Sequence, residues 1–174
     1  MKRTLIFCVA IVIVSFIFSA CNNKNTEEKQ SKDKAEQGIR DTNDKFYAAL
    51  NEMFAGNLEL MNAIWSHADD VTDMGPFGDR LVGWDAVSAE FNKEAAMKLG
   101  GKVVCKDLLV HAGTDMGYTV CVEEGENMSA EGKPVLVKFR ATNIFRLENG
   151  QWKLVHHHTD LSTPLQQATS EEKK

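Results

Sequence analysis

The stretch Phe145-Arg146-Leu147-Glu148-Asn149-Gly150-Gln151-Trp152-Lys153-Leu154-Val155-His156-His157-His158-Thr159 decides how this chain folds. An Asn-Gly pair between two runs rich in β-branched and aromatic residues predicts a hairpin closed by a type I′ turn, whose two central residues need positive φ. Closing on Asn149-Gly150 pairs Glu148 with Gln151. Continuing that register sets Leu147 opposite Trp152, Phe145 opposite Leu154, Asn143 opposite His156 and Ala141 opposite His158. Side chains alternate between the faces of a strand. One face then reads Val135, Val137, Phe139, Ala141, Asn143, Phe145, Leu147, Trp152, Leu154, His156, His158. The other carries Lys138, Arg140, Arg146 and Lys153 with Thr142, Ile144, Val155, His157 and Thr159, and is expected to be the more exposed. The first face is apolar except at one end, where Asn143, His156 and His158 gather. Polar groups set into an apolar wall predict a pocket. A single β-bulge would exchange the two histidine sets, because a one-residue slip turns over every following side chain.

Two further strand-like runs precede this hairpin, Val103 to Val110 and Met116 to Glu123; its own strands span Val135 to Leu147 and Trp152 to Thr159. Before them the period is helical. Ile39, Phe46 and Met53 recur every seven residues, with Tyr47, Leu50 and Phe54 on the same side and Ala55-Gly56-Asn57 as a stop. Leu58 to Trp65 predicts a short second helix. Asp85 to about Lys98 predicts a third, with Val87, Phe91 and Ala95 four apart, Asp85 as its cap and Gly100-Gly101 as its stop. Ser66 to Gly83 reads as short strands and loops, and Gly125 to Pro134 as a mobile loop. Helices followed by long strands define an α+β fold, a curved antiparallel sheet with helices packed on it.

The 174 residues carry a formal net charge of −5, with 43% hydrophobic and 26% charged residues. That is the composition of one globular domain with appendages. An acidic chain lacks the basic surface that nucleic-acid binding requires, so no nucleic-acid partner is expected. The first residues read as an address. Lys2 and Arg3 precede the apolar run Leu5 to Phe18, too short to span a bilayer, and Phe18-Ser19-Ala20-Cys21 follows. This resembles a bacterial lipoprotein box, which implies a signal peptide over 1–20 and a lipidated Cys21 as membrane anchor. The expected location is the cell envelope, on the periplasmic side or at the outer membrane. Cleavage removes Lys2 and Arg3 and no acid, taking the charge from −5 to −7. Residues 21–35 hold no large apolar side chain and predict a flexible tether, and 163–174 a polar tail.

Several motifs carry a resemblance. They are the amphipathic helix ending near Trp65, Gly75-Pro76-Phe77-Gly78, Gly83-Trp84-Asp85-Ala86-Val87, and above all the terminal Gly150-Gln151-Trp152-Lys153-Leu154-Val155-His156-His157-His158-Thr159. Over residues 36–162 the chain resembles the nuclear transport factor 2-like fold, and within it the SnoaL-like group. The resemblance implies a sheet curved around a cone-shaped pocket and a homodimer. Activity does not follow, because function must be argued from the site.

Three readings of the site follow. In a binding domain for a small, largely apolar molecule, Trp65, Phe77, Trp84, Phe91, Phe139 and Phe145 line the cavity, while Asn143, His156 and His158 orient one polar group. In an acid–base enzyme of isomerase, dehydratase or cyclase type, His158 and His156 work with a carboxylate. Asp73 is the choice among Asp69, Asp70, Asp73 and Asp160. A dimerisation module without ligand is the third, with Thr142, Ile144, Val155 and His157 on the dimer face. A metal held by His156, His158 and either Asp73 or His67 is the weakest pattern, so no metal and no cofactor are expected. If Ala112-Gly113-Thr114 form a hairpin tip, Cys105 lies opposite Cys121, a possible disulfide; a two-residue turn puts the pair out of register and leaves two buried thiols.

Overall fold

A computed structural model of the chain describes residues 2–76, 78–129 and 132–161, with side chains from residue 26 onward except at 137. The elements are α1 (Lys2–Phe54), α2 (Glu59–Ile64), β1 (Thr72–Met74), β2 (Leu81–Val82), α3 (Trp84–Met97), β3 (Lys102–Ala112), β4 (Met116–Met128), β5 (Pro134–Glu148) and β6 (Gln151–Leu161). Six strands form one sheet in the order β2-β1-β6-β5-β4-β3. β3 to β6 make an antiparallel meander. The sheet as a whole is mixed rather than antiparallel, because β1 runs parallel to β6. The cause lies just upstream. Trp65 already bridges Leu154 in parallel, and the Ser66 amide donates to the Leu154 carbonyl at 2.9 Å, so the chain is laid alongside β6 before β1 begins.

α1 docks on the inner face of the sheet through Ile39, Phe46, Ala49 and Met53, all essentially inaccessible. Residues 21–35, expected as a flexible tether, are helical. Their Glu, Lys and Gln are good helix formers, Lys32 and Glu36 approach to 3.8 Å one turn apart, and side chains from Thr26 to Lys34 are exposed. Asn51 completes the docking. Its Nδ2 donates to the Val103 carbonyl at 2.9 Å and its Oδ1 accepts from the Val103 amide at 2.8 Å, satisfying backbone groups at the start of the edge strand β3. α3 buries Val87, Phe91 and Ala95 as predicted. Its N-cap is Gly83 with no side-chain cap; Asp85 lies one step inside, in the first turn, where its charge suits the helix dipole. β4 extends to Met128, so much of the loop expected from Gly125 onward is strand.

Two register shifts determine which residues face inward. The β5–β6 turn is as predicted, with Asn149 at φ 51° and Gly150 at φ 78°, and pairs Leu147 with Trp152 and Phe145 with Leu154. Then the register slips by one: Ile144 pairs with His156, Asn143 with His157 and Thr142 with His158. Val155 is the extra residue. The histidine sets are exchanged, and His157 rather than His156 and His158 joins Asn143 on the inner face. The second shift lies between Lys106 and Leu109, where Asp107 adopts φ 53°. The tip closes on the two residues Thr114-Asp115, which takes Cys105 out of register with Cys121; the bulge then sets Cys105 opposite Glu123, and both cysteines are free thiols.

Candidate functional site

One row of side chains crosses the inner face of the sheet. Asp73 of β1 pairs with His157 of β6, His157 with Asn143 of β5, and Asn143 with Thr119 of β4. Partners in register share a face, so these four polar residues stand side by side in an otherwise apolar wall, all buried. α1 adds Asn43 and Tyr47 from above, and the next positions along β4 and β3 add Cys121, Glu123 and Cys105.

These groups form a nearly closed circuit of hydrogen bonds. Asn43 Oδ1 accepts from Thr119 Oγ1 at 2.9 Å and from Asn143 Nδ2 at 3.0 Å. Asn143 therefore presents Oδ1 to His157 Nδ1, 2.6 Å away. An amide oxygen only accepts, so Nδ1 carries the proton and Nε2 keeps a lone pair. Tyr47 donates its hydroxyl to Glu123 Oε1 at 3.1 Å and lies 3.1 Å from Cys121 Sγ. Cys121 and Cys105 are diagonal neighbours on the inner face, and Asn43 Nδ2 reaches Cys105 Sγ at 3.8 Å. The circuit is open at one place. His157 Nε2 lies 3.9 Å from Glu123 Oε1, beyond hydrogen-bond reach. Two further inner-face atoms, Asp73 Oδ1 and Thr159 Oγ1, are buried without a partner.

Burial dominates the electrostatics. It pushes Asp73 up to about 7, with repulsion from Glu94 and Glu90 adding and the Met74 amide opposing. Burial likewise raises Glu123 to about 7, partly offset by the Tyr47 hydrogen bond, and raises Glu94 to about 7 with help from Glu90. His157 is pushed down to about 3 by burial, then by its histidine neighbours. Near neutral pH the site therefore holds a neutral imidazole with a free acceptor nitrogen beside carboxyl groups poised to give or take a proton.

Among the sequence candidates, Asn143, Phe139 and Phe145 are buried on the inner face. Trp65, Trp84 and Phe91 form a separate aromatic cluster, with ring centroids 5.5 to 6.5 Å apart, under α2 and α3. Phe77 lies outside the described residues, as do the Cys21 side chain and residues 163–174. His156 and His158 are not pocket residues. They sit on the outer face, His156 held by Thr72 Oγ1 at 2.6 Å and its ring 6.3 Å from that of His158. Nor can Val155 and His157 serve an outer dimer face, since both are buried. Asp73 turns inward, whereas Asp70 pairs with Arg146 at 2.7 Å, Asp160 pairs with Arg140, and Asp69 is exposed. His67 stacks on Trp84 at 4.2 Å, away from His156, and among the described residues no cluster of three potential ligands is placed to hold a metal.

Sequence reasoning missed His157, Glu123, Tyr47, Asn43 and Thr119. For β4 the alternation misleads, because the more hydrophobic set, Tyr118, Val120 and Val122, faces outward while Thr119, Cys121 and Glu123 face inward. For α1 a signal was present: Asn43 and Tyr47 follow Ile39 at four-residue steps, which puts polar atoms inside the buried stripe.

A SnoaL-like domain family profile matches residues 39–165, and the chain belongs to that family. Its fold is nuclear transport factor 2-like. A proposed dehydratase of the NTF2-like family from Streptomyces avermitilis superposes with a TM-score of 0.65 and 23% identity, covering 75% of this chain and 98% of that one. A proposed calcium/calmodulin-dependent protein kinase type II association domain from Thiobacillus denitrificans gives a TM-score of 0.59 and 26% identity over 70% of this chain and 93% of that one. The F-box protein SKIP8 of Arabidopsis thaliana is 26% identical over 129 residues, 72% of this chain and 50% of its own length. The chain thus spans about half the length of the curated relative it matches.

The raised Asp73 carboxyl has a consequence for stability. Folded, Asp73 keeps its proton up to about pH 7, whereas the unfolded chain loses it near pH 3.8. Its contribution is full below that lower value and drains away as pH rises through 7. His157 has the opposite sign: depressed from 6.5 to about 3, its contribution is full above pH 6.5 and lost as pH falls toward 3. Replacing Asp73 by Asn removes the first effect alone. Thermal melts from pH 4 to 8 should show the Tm of Asp73→Asn gaining several degrees on the wild type as pH rises. A constant difference across that range would mean that Asp73 titrates as a solvated carboxyl.

Proposed function

We propose that the inner face of the sheet binds a small molecule with an apolar body and one hydroxyl or carbonyl group. The observation that carries this reading is the break in the circuit. A free Nε2 lone pair on His157, flanked by the unpartnered Asp73 Oδ1 and Thr159 Oγ1, is an arrangement that a bound polar group would complete. Buried polar atoms without partners are costly, on the order of 1–3 kcal/mol each, so a ligand that satisfies them gains correspondingly. Phe46, whose ring lies 4.8 Å from that of His157, with Phe139 and Phe145, provides the apolar surround.

A second reading uses the same atoms for catalysis. His157 Nε2 would remove a proton from carbon while the protonated Asp73 donates one to a departing hydroxyl, the acid–base division that a dehydratase or isomerase needs. A carboxyl at about 7 in register with a neutral imidazole favours it, as does similarity to the Streptomyces avermitilis protein. Self-association is the third element. The outer face exposes or half-exposes Leu109, Met116, Tyr118, Val120 and Ile144. An open groove of about 290 Å³ runs between His111, Met116, Tyr118, Thr142 and Ile144. Similarity to an association domain supports a second copy on this face.

Native mass spectrometry of the purified full chain tests both claims. A bound small molecule on the wild type should be lost from Asp73→Asn and His157→Gln with the circular dichroism unchanged. Its retention in both variants would place the ligand elsewhere. The same spectra should show dimers for the wild type and monomers for Val120→Glu; dimers in that variant would remove the outer face from the assembly.

We further propose that Cys21 carries the lipid and that the domain works at the bacterial envelope, on the strength of the Lys2-Arg3, Leu5–Phe18 and Ser19-Ala20-Cys21 sequence. Labelled palmitate should enter the wild type in a bacterial host and not Cys21→Ala. Equal labelling of both would end the anchor proposal.

A further inference from the structure

The two cysteines of the folded domain carry an inference that the small-molecule site does not require. Cys105 and Cys121 lie on the inner faces of adjacent strands, one diagonal step apart. Cys105 pairs with Glu123, two residues beyond Cys121, and the bulge at Asp107 and Leu108 occupies the place opposite Cys121. Both are free, and each thiol shifts the other's titration. Their surroundings differ. Cys105 is half-buried, whereas Cys121 is 7% exposed. Asn43 Nδ2 points a donor at Cys105 Sγ from 3.8 Å, and the Tyr47 hydroxyl contacts Cys121 Sγ at 3.1 Å.

We propose that Cys105 and Cys121 are a redox-active dithiol: Cys105 attacks a low-molecular-weight disulfide, and Cys121 resolves the mixed disulfide into an intramolecular one. The roles follow from the two environments. The donors at Cys105 stabilise the thiolate, the nucleophilic form. The neighbouring Cys121 thiol, and secondarily the Asn43 donor and the nearby Tyr47 hydroxyl, hold the Cys105 thiol below its ordinary value against burial. The neighbouring Cys105 and burial hold Cys121 well above it. Cys105 is also the less buried of the two, so it is the one an incoming disulfide meets first.

The chemistry balances as thiol–disulfide exchange. Cys105 thiolate attacks one sulfur of R–S–S–R; the S–S bond breaks, Cys105–S–S–R forms and the first RS⁻ leaves. That thiolate takes up the Cys105 proton from solvent. Cys121 then loses its proton to solvent and attacks the Cys105 sulfur. The mixed disulfide breaks, the Cys105–Cys121 bond forms, and the second RS⁻ leaves and is protonated. Two electrons pass from the protein thiols to the small disulfide, which is reduced to two thiols. Because Tyr47 bridges Cys121 and Glu123, closure also changes the partners of a hydroxyl in the candidate site.

The test uses the full chain, folded, in glutathione buffers of increasing disulfide content. Free thiols are trapped by alkylation and tryptic peptides are read by mass spectrometry. Cleavage after Lys102, Lys106 and Lys138, the Lys133–Pro134 bond being resistant, puts Cys105 in peptide 103–106 and Cys121 in peptide 107–138, apart from Cys8 and Cys21. The linked pair should replace both alkylated peptides in most chains at high glutathione disulfide and vanish with dithiothreitol. Cys121→Ser should accumulate glutathione on Cys105, while Cys105→Ser should leave Cys121 unmodified. A linked pair that forms only in denaturant, glutathione on Cys121 in place of Cys105, or either cysteine joined to Cys8 or Cys21 would overturn the proposal. If a serine variant fails to fold, the wild-type linked peptide decides by itself.

Discussion

The structure depends on how Asn43 is used. It stands in the buried stripe of α1, and a carboxamide there must find partners for its oxygen and its nitrogen or cost the helix its docking. Its oxygen takes hydrogens from Thr119 and Asn143, on two neighbouring strands, and its nitrogen reaches Cys105 on a third. A helix packed only by Ile39, Phe46 and Met53 could slide or turn with little change in apolar contact. The carboxamide allows one position. It also orients Asn143, which orients His157, so the tautomer of a buried imidazole on β6 is set by a helix residue more than a hundred positions earlier in the chain.

That arrangement gives the two faces of the sheet opposite characters. The inner face, under α1, holds carboxyls and an imidazole whose charged forms are suppressed by burial. The outer face mixes aliphatic and aromatic residues of β3, β4 and β5 near the hairpin tips with the ion pairs Lys138–Glu124, Arg140–Asp160 and Arg146–Asp70, and with His111, His156 and His158. The polar row enclosed under α1 and the apolar patch of Leu109, Met116, Tyr118 and Ile144 outside are thus two separate features of one sheet.

Much of the architecture was legible in the sequence because it rests on local signals. The Asn149-Gly150 turn, the seven-residue period through Ile39, Phe46 and Met53, and the four-residue spacing of Val87, Phe91 and Ala95 each describe a contact made within one element. The parallel β1–β6 pairing was not legible, since it depends on where Trp65 leaves α2. The site was half legible. Asp73 and Asn143 were picked from their surroundings, but the histidines were assigned by extending a perfect register from the turn. The register fails at Val155, the fifth residue past the turn, and every histidine beyond it changes face. Bulges carry no reliable residue signature, and Asp107 and Val155 show this. In β3 the tip closes on Thr114-Asp115 rather than on Ala112-Gly113-Thr114, which takes Cys105 away from Cys121, and the bulge then returns Cys105 to the inner face as a diagonal neighbour.

The account stands on His157 lying inside the domain as a neutral ring with its proton on Nδ1. Nitrogen-15 NMR of the imidazoles over a pH titration measures this directly. One ring should remain a neutral Nδ1–H tautomer at pH 5, and its signals should disappear in His157→Gln. A spectrum in which the His157 ring takes up a proton between pH 6 and 7, like a ring in water, would put it on the outer face and contradict the bulge, the circuit and the site together.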